Sequence, residues 1–176
     1  HSKTLQGIKL LQKEGVPVNV NMVVMQENKD HVRETGLFVK NIGVKYFTSA
    51  QAVLTIRNAL GLEDTLHYLE DLHSLREDND IVVGLDFPIP YCSVWEEKPH
   101  LRNLLKSSNC GAGRAIIQIA PDGSVKPCAL INIDYGNILE EDLNEIWAKM
   151  DEWSNKKYTP ESCGPCDLNV ACAGAC

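Results

Sequence analysis

The sequence predicts an α/β protein: a parallel sheet with packed helices, followed by a small cysteine-rich region carrying a β-hairpin and a helix. Three observations support this reading. Across residues 1–85 the apolar pattern alternates between a helical period and short β-branched runs, in the order helix, strand, helix, strand, helix, strand. That order is the signature of βα units on a parallel sheet. Near Pro88-Ile89-Pro90 the composition shifts, and six of the seven cysteines then fall between Cys110 and Cys176, four of them in the last fourteen residues.

The elements follow in chain order. Leu5, Ile8 and Leu11 recur at helical spacing, and Gly15 stands where a left-handed cap is wanted. Val16 to Met25 (VPVNVNMVVM) is nearly continuous in apolar character, as expected of a strand buried on both faces. Asn28 suits the cap of a second helix carrying Val32, Leu37 and Ile42, with Gly43 behind it. Val44 to Phe47 reads as a short strand, Leu62 to Leu75 as a leucine-faced helix, and Ile81 to Leu85 as a third strand. Residues 92–109 read as a connector with one helical turn near Leu101–Leu105. In the third part, Ala115 to Cys128 is a hairpin turning at Pro121-Asp122-Gly123, where proline presets one φ and glycine accepts a positive one. Glu141 to Trp153 is a helix placing Leu143, Ile146, Trp147 and Met150 on one face, with the tryptophans in core packing.

Charge and composition exclude several classes. The formal charge is −7 with no basic cluster, so a nucleic-acid surface is not expected. No run approaches the ~20 apolar residues that cross a bilayer, so no membrane partner is expected. The expected location is the cytoplasm. Because three βα units leave a sheet with open edges, self-association through those edges is a further expectation. The chain begins at His1 and stops at Cys176 inside the cysteine cluster, which suggests a piece of a larger protein.

The cysteine spacing is Cys110-x12-Gly123-x4-Cys128, then a gap of thirty-four residues, then Cys163-x2-Cys166-x5-Cys172-x3-Cys176. Three chemistries compete for it. Disulfide scaffolds are small, loop-rich and usually even in cysteine number, unlike this chain. Structural zinc suits the Cys163-x2-Cys166 knuckle but does not need further thiolates crowded behind it. Iron–sulfur clusters are each held by about four soft thiolates, and a compact run of this kind supplies them. Small residues Gly164, Ala173, Gly174 and Ala175 leave room for backbone to wrap a bulky inorganic core. In protein made without cluster assembly, zinc or empty thiols are the expected state. Cys92 lies outside the pattern and reads as a connector thiol. The histidines His1, His31, His67, His73 and His100 are scattered and read as solvated.

These residues, with Gly136-Asn137-Ile138, Leu143 and Glu145-Ile146-Trp147 between the two halves, resemble the SPASM domain. That domain carries auxiliary clusters at the C-terminus of many radical S-adenosylmethionine (SAM) enzymes. The upstream βα units are similar to the C-terminal part of the radical SAM partial (β/α) barrel. The resemblance implies residues 1–91 as barrel, 92–109 as connector and 110–176 as SPASM domain. It implies one or two auxiliary [4Fe-4S] clusters, one drawing on Cys110, Cys128 and Cys176. The other would draw on Cys163, Cys166 and Cys172, with a final ligand downstream that this sequence lacks. Asn21 would face the SAM side of the barrel, although a polar group tied to backbone is the alternative reading. Family members use the SAM-derived radical to mature a peptide or protein substrate. The Cx3Cx2C motif of the SAM-cleaving cluster occurs nowhere in these 176 residues, so the chain alone is expected to be inactive.

Overall fold

A computed structural model describes residues 1–52, 59–78, 80–94, 97–105, 110–155, 157–172 and 174–175. Cys176 lies outside the described residues. The chain divides into two compact units, 1–108 and 109–175.

The first unit runs α1 (Ser2–Lys13), β1 (Asn19–Val24), α2 (Val32–Asn41), β2 (Tyr46–Gln51), α3 (Leu62–Asp78) and β3 (Val82–Leu85). The three strands form one parallel sheet in the order β1-β2-β3, with Asn21 opposite Thr48 and Thr48 opposite Gly84. Parallel neighbours need a crossover, and α2 and α3 are those crossovers. Their apolar stripes meet: Val32 and Val39 of α2 are buried, as are Leu69, Leu72 and Leu75 of α3, and Gly36 lets the Leu75 side chain approach the α2 backbone. Fold class and parallel sheet are thus as the residue pattern implied.

Two strands differ from the sequence expectation. β1 is not buried on both faces. It starts at Asn19, and its exposure alternates, with Asn19, Asn21 and Val23 open and Val24 buried. Val23 is 46% exposed and Val82 59%, so helices cover one face of the sheet in this unit and leave the other open. The strand expected at Val44–Phe47 lies instead at Tyr46–Gln51. Its Thr-Ser-Ala-Gln stretch has the composition of a turn, but Thr48 and Ser49 pair with strands on both sides and Ala50 and Gln51 with β1, and buried Ser49 shows the tertiary override. After β3, short 3₁₀ turns at Tyr91–Ser93 and Pro99–Leu101 lead into α4 (Arg102–Leu105). Ile89, Tyr91, Val94, Leu101, Leu104 and Leu105 are buried there, and the Tyr91 hydroxyl donates to the Leu105 carbonyl at 3.2 Å. Residues 95–96 and 106–109 of the expected connector lie outside the described residues.

In the second unit β4 (Gln118–Ile119), β5 (Ser124–Lys126) and β6 (Gly136–Asn137) form an antiparallel sheet. The hairpin turns as its residues require: Gly123 takes φ +86°, and the Asp122 carboxylate accepts from Ser124 N–H at 3.0 Å. The expected single helix over 141–153 is two pieces, α5 (Leu143–Ala148), capped by the Asp142 side chain, and α6 (Asp151–Ser154). Val125, Ile146 and Met150 make the fully buried core of this unit, with Ile117, Tyr135 and Trp153 packed around it. The last element is α7 (Asn169–Cys172).

Candidate functional site

The second unit presents its cysteines on turns. Cys110 opens a tight loop in which the amides of Arg114, Ala115 and Ile116 all point at the Gly111 carbonyl, at 2.8–3.0 Å. The Arg114 guanidinium also donates to the Cys110 carbonyl. Gly113 sits in this loop at φ +65°, beneath Trp153, and its carbonyl accepts from the Trp147 indole at 3.1 Å. Cys128 follows β5 and starts an arc ending at Tyr135, whose amide returns to the Val125 carbonyl at 2.9 Å. The Leu130 N–H donates to the Cys128 sulfur at 3.4 Å. Amide donors of this kind tune and orient a metal-bound thiolate.

The distal run is a chain of single turns. Cys163 closes a 3₁₀ turn after Pro160, the Cys166 amide donates to the Cys163 carbonyl at 3.2 Å, and the Asn169 amide to the Cys166 carbonyl at 2.9 Å. Cys172 ends α7 with 8% exposure. The chain then turns through Gly174 and Ala175, both at positive φ.

Trp153, Tyr135, Tyr158, Glu152 and Lys157 form one polar network in the second unit. The Trp153 indole N–H donates to the Tyr135 hydroxyl oxygen at 2.8 Å. Tyr135 and Tyr158 hydroxyls donate to Glu152 Oε1, and Lys157 Nζ donates to Oε2 at 2.6 Å. The Lys157 ammonium, joined by the two hydroxyls, holds the Glu152 carboxyl down at about 2. Burial, reinforced by the bond to Glu152, pushes the Tyr135 phenol up to about 12.

The open sheet face of the first unit carries a second polar group. Asn21 Nδ2 donates to Thr48 Oγ1 at 3.1 Å and to Asp86 Oδ2 at 2.7 Å, and the Thr48 hydroxyl donates to the same oxygen at 2.6 Å. Asn19 adds a bond to Thr48 at 3.0 Å. A cavity of about 660 Å³ adjoins them, lined in part by Asn19, Tyr46, Thr48, Arg76, Gly84 and Asn103. Reading the sequence singled out Asn21 and missed Thr48 and Asp86. Strand register alone brings the three together, and the one available signal was polar residues at alternate positions of an apolar run.

The donor chemistry fits an iron–sulfur cage. Cys110, Cys128, Cys163 and Cys166 are free thiols in the second unit, so the disulfide reading finds no support at these four. Among the described residues, no three Cys, His, Asp or Glu side chains gather closely enough to hold a metal ion. Four thiolates around one zinc all lie about 2.3 Å from it, whereas a cage takes thiolates on separate irons. Among the described residues, no helix is long and apolar enough to cross a membrane.

Comparison with known proteins agrees with this chemistry. Residues 110–167 match the model of the SPASM family, described as an iron-sulfur cluster-binding domain. The AdoMet-dependent heme synthase of Oleidesulfovibrio alaskensis is 22% identical over 98% of this chain and 49% of that protein. The antilisterial bacteriocin subtilosin biosynthesis protein AlbA of Bacillus subtilis is 28% identical over 83% of this chain and 31% of its own length. Among solved structures, Streptococcus suis SuiB superposes with a TM-score of 0.72 at 17% identity, over 99% of this chain and 45% of SuiB. Native anSMEcpe with bound AdoMet and Kp18Cys peptide gives a TM-score of 0.69 at 20% identity, over 99% of this chain and 52% of that one. The fold is shared with these structures, and the chain resembles radical SAM/SPASM enzymes, spanning about half the length of several of them.

Proposed function

We propose that this chain works as part of a radical SAM/SPASM enzyme that modifies a peptide or protein in the cytoplasm. In this reading Cys110, Cys128 and Cys176 hold one auxiliary [4Fe-4S] cluster, and Cys163, Cys166 and Cys172 hold another. A bound auxiliary cluster supplies one-electron transfer or, where an iron lacks a protein ligand, a site for substrate. The protein's own residues set its environment. The Gly111-centred turn presents Cys110, the Leu130 amide orients the Cys128 sulfur, and the buried Cys172 side chain keeps water from its thiol. On the sheet, Asn21, Thr48 and Asp86 line the wall that faces SAM and substrate. Asp86 accepts at one oxygen from both neighbours, which orients the carboxylate toward a donor on a bound molecule.

The single observation supporting this is the set of free thiols on turns in the segment that matches an iron-sulfur cluster-binding family. The test is anaerobic reconstitution with ferrous iron and sulfide. The expected product is brown, with iron and inorganic sulfide in similar amounts and broad visible absorption. A colourless chain that takes up zinc and no iron refutes the reading. SAM cleavage is expected only when the rest of the enzyme is supplied, since Cx3Cx2C is not in this sequence.

A further inference from the structure

Trp153 touches the Cys110 loop and reaches the Cys128 arc of the second unit. Its ring covers the Cys110 loop so closely that a Cβ built on Gly113 would stand 2.8 Å from Trp153 Cγ. Its indole N–H ends on the Tyr135 hydroxyl, 2.8 Å away, at the far end of the arc that begins with Cys128. Tyr135 is held in turn by Glu152, which also receives Tyr158 and Lys157. The two loops flank the paired strands β4 and β5; apart from that pairing and the Trp147 indole bond to the Gly113 carbonyl, each is held by its own hydrogen bonds. The Cys110 loop folds on the Gly111 carbonyl, and the Cys128 arc is tied by Lys126 Nζ to Asn132 Oδ1 at 3.0 Å.

We infer that the Trp153–Tyr135 hydrogen bond is a strut joining the Cys110 loop to the Cys128 arc. Trp153, Tyr135 and Glu152 are then positioning residues for the cluster those two cysteines share. This rests on the cluster reading above and goes beyond it, because none of the three residues is a ligand. A cluster bound by two independent loops can be lost by the opening of either. A strut makes opening of one loop require disruption of the other, so loss of the bond loosens both together.

Trp153→Phe and Tyr135→Phe each delete the bond while keeping an aromatic ring. Hydrogen exchange on the metal-free full chain reads the strut without iron. Trp153→Phe is expected to speed exchange about five-fold, the worth of one hydrogen bond, in peptides 110–116 and 128–135 alike, and Tyr135→Phe, which also loses the bond to Glu152, at least as much. The double variant is expected to go no further than Tyr135→Phe alone, which already removes the Trp153 bond along with the bond to Glu152. After anaerobic reconstitution, iron loss to a chelator is expected to accelerate by a similar factor, with an altered electron paramagnetic resonance signal of the reduced cluster. A response confined to one loop, or additive effects in the double variant, overturns the strut. Loosened loops with wild-type iron retention and signal overturn the positioning role. A wild-type chain that takes up no iron overturns the cluster reading, while exchange still decides whether the strut exists.

Discussion

Replacing Gly113 by alanine tests the seat of the Cys110 loop. Gly113 has φ +65°, a conformation that costs an L-residue about 1–2 kcal/mol. The added methyl would also lie 2.8 Å from Trp153 Cγ and 2.9 Å from Trp153 Cβ. Those atoms are the root of the indole, and Tyr135 ties its far side, so the ring has little freedom to yield. Overpacking of this kind costs about 1–3 kcal/mol. Together the two effects place the loss at about 2–5 kcal/mol. Gly7 provides the opposite case: it lies inside α1 with nothing within 4 Å of an added Cβ. There alanine is expected to stabilise the helix by about 0.5–1 kcal/mol. Urea unfolding of the metal-free chain, followed by tryptophan fluorescence and far-ultraviolet circular dichroism, measures both. The midpoint is expected to fall for Gly113→Ala and rise for Gly7→Ala, with unchanged slopes. If Gly113→Ala unfolds within about 0.5 kcal/mol of the parent, the size of an ordinary surface change, Trp153 is not seated on this loop.

Three further outcomes are expected. The Glu152 carboxyl titrates near 2 in the folded protein, below its ordinary value of 4.5. Its contribution to stability is therefore complete above pH 4.5 and fades as the pH falls toward 2. The stability difference between wild type and Glu152→Gln should shrink across that window, and a difference independent of pH contradicts the assignment. Ile146→Ala empties part of the core it makes with Val125 and Met150 and should cost about 2–5 kcal/mol in the same unfolding experiment. A loss below about 1 kcal/mol would show that the site is not close-packed. Cys110→Ala and Cys128→Ala should lower iron uptake on reconstitution, whereas Cys92→Ala, at an exposed position in the first unit, should not. Equal losses in the three variants would mean that Cys92 is a ligand.

Much of the architecture was legible in the residues themselves because its signals are local. Alternating periodicity marked α1 to β3 in order, and Pro121-Asp122-Gly123 marked the hairpin. Cysteine spacing also carries chemistry on its own, since soft thiolates in a compact run suit few partners besides iron and zinc. Composition could not show which strand would be central. Thr48 and Ser49 look like loop residues until neighbours on both sides complete their ladder. Nor could it show that Asn21, Thr48 and Asp86 share a carboxylate, or that Trp153 spans from Gly113 to Tyr135. Those groupings join positions tens of residues apart, and they depend on sheet register and on the break between α5 and α6. Register and packing are set by the whole chain at once, because each contact gains free energy only when its distant partner is already in place.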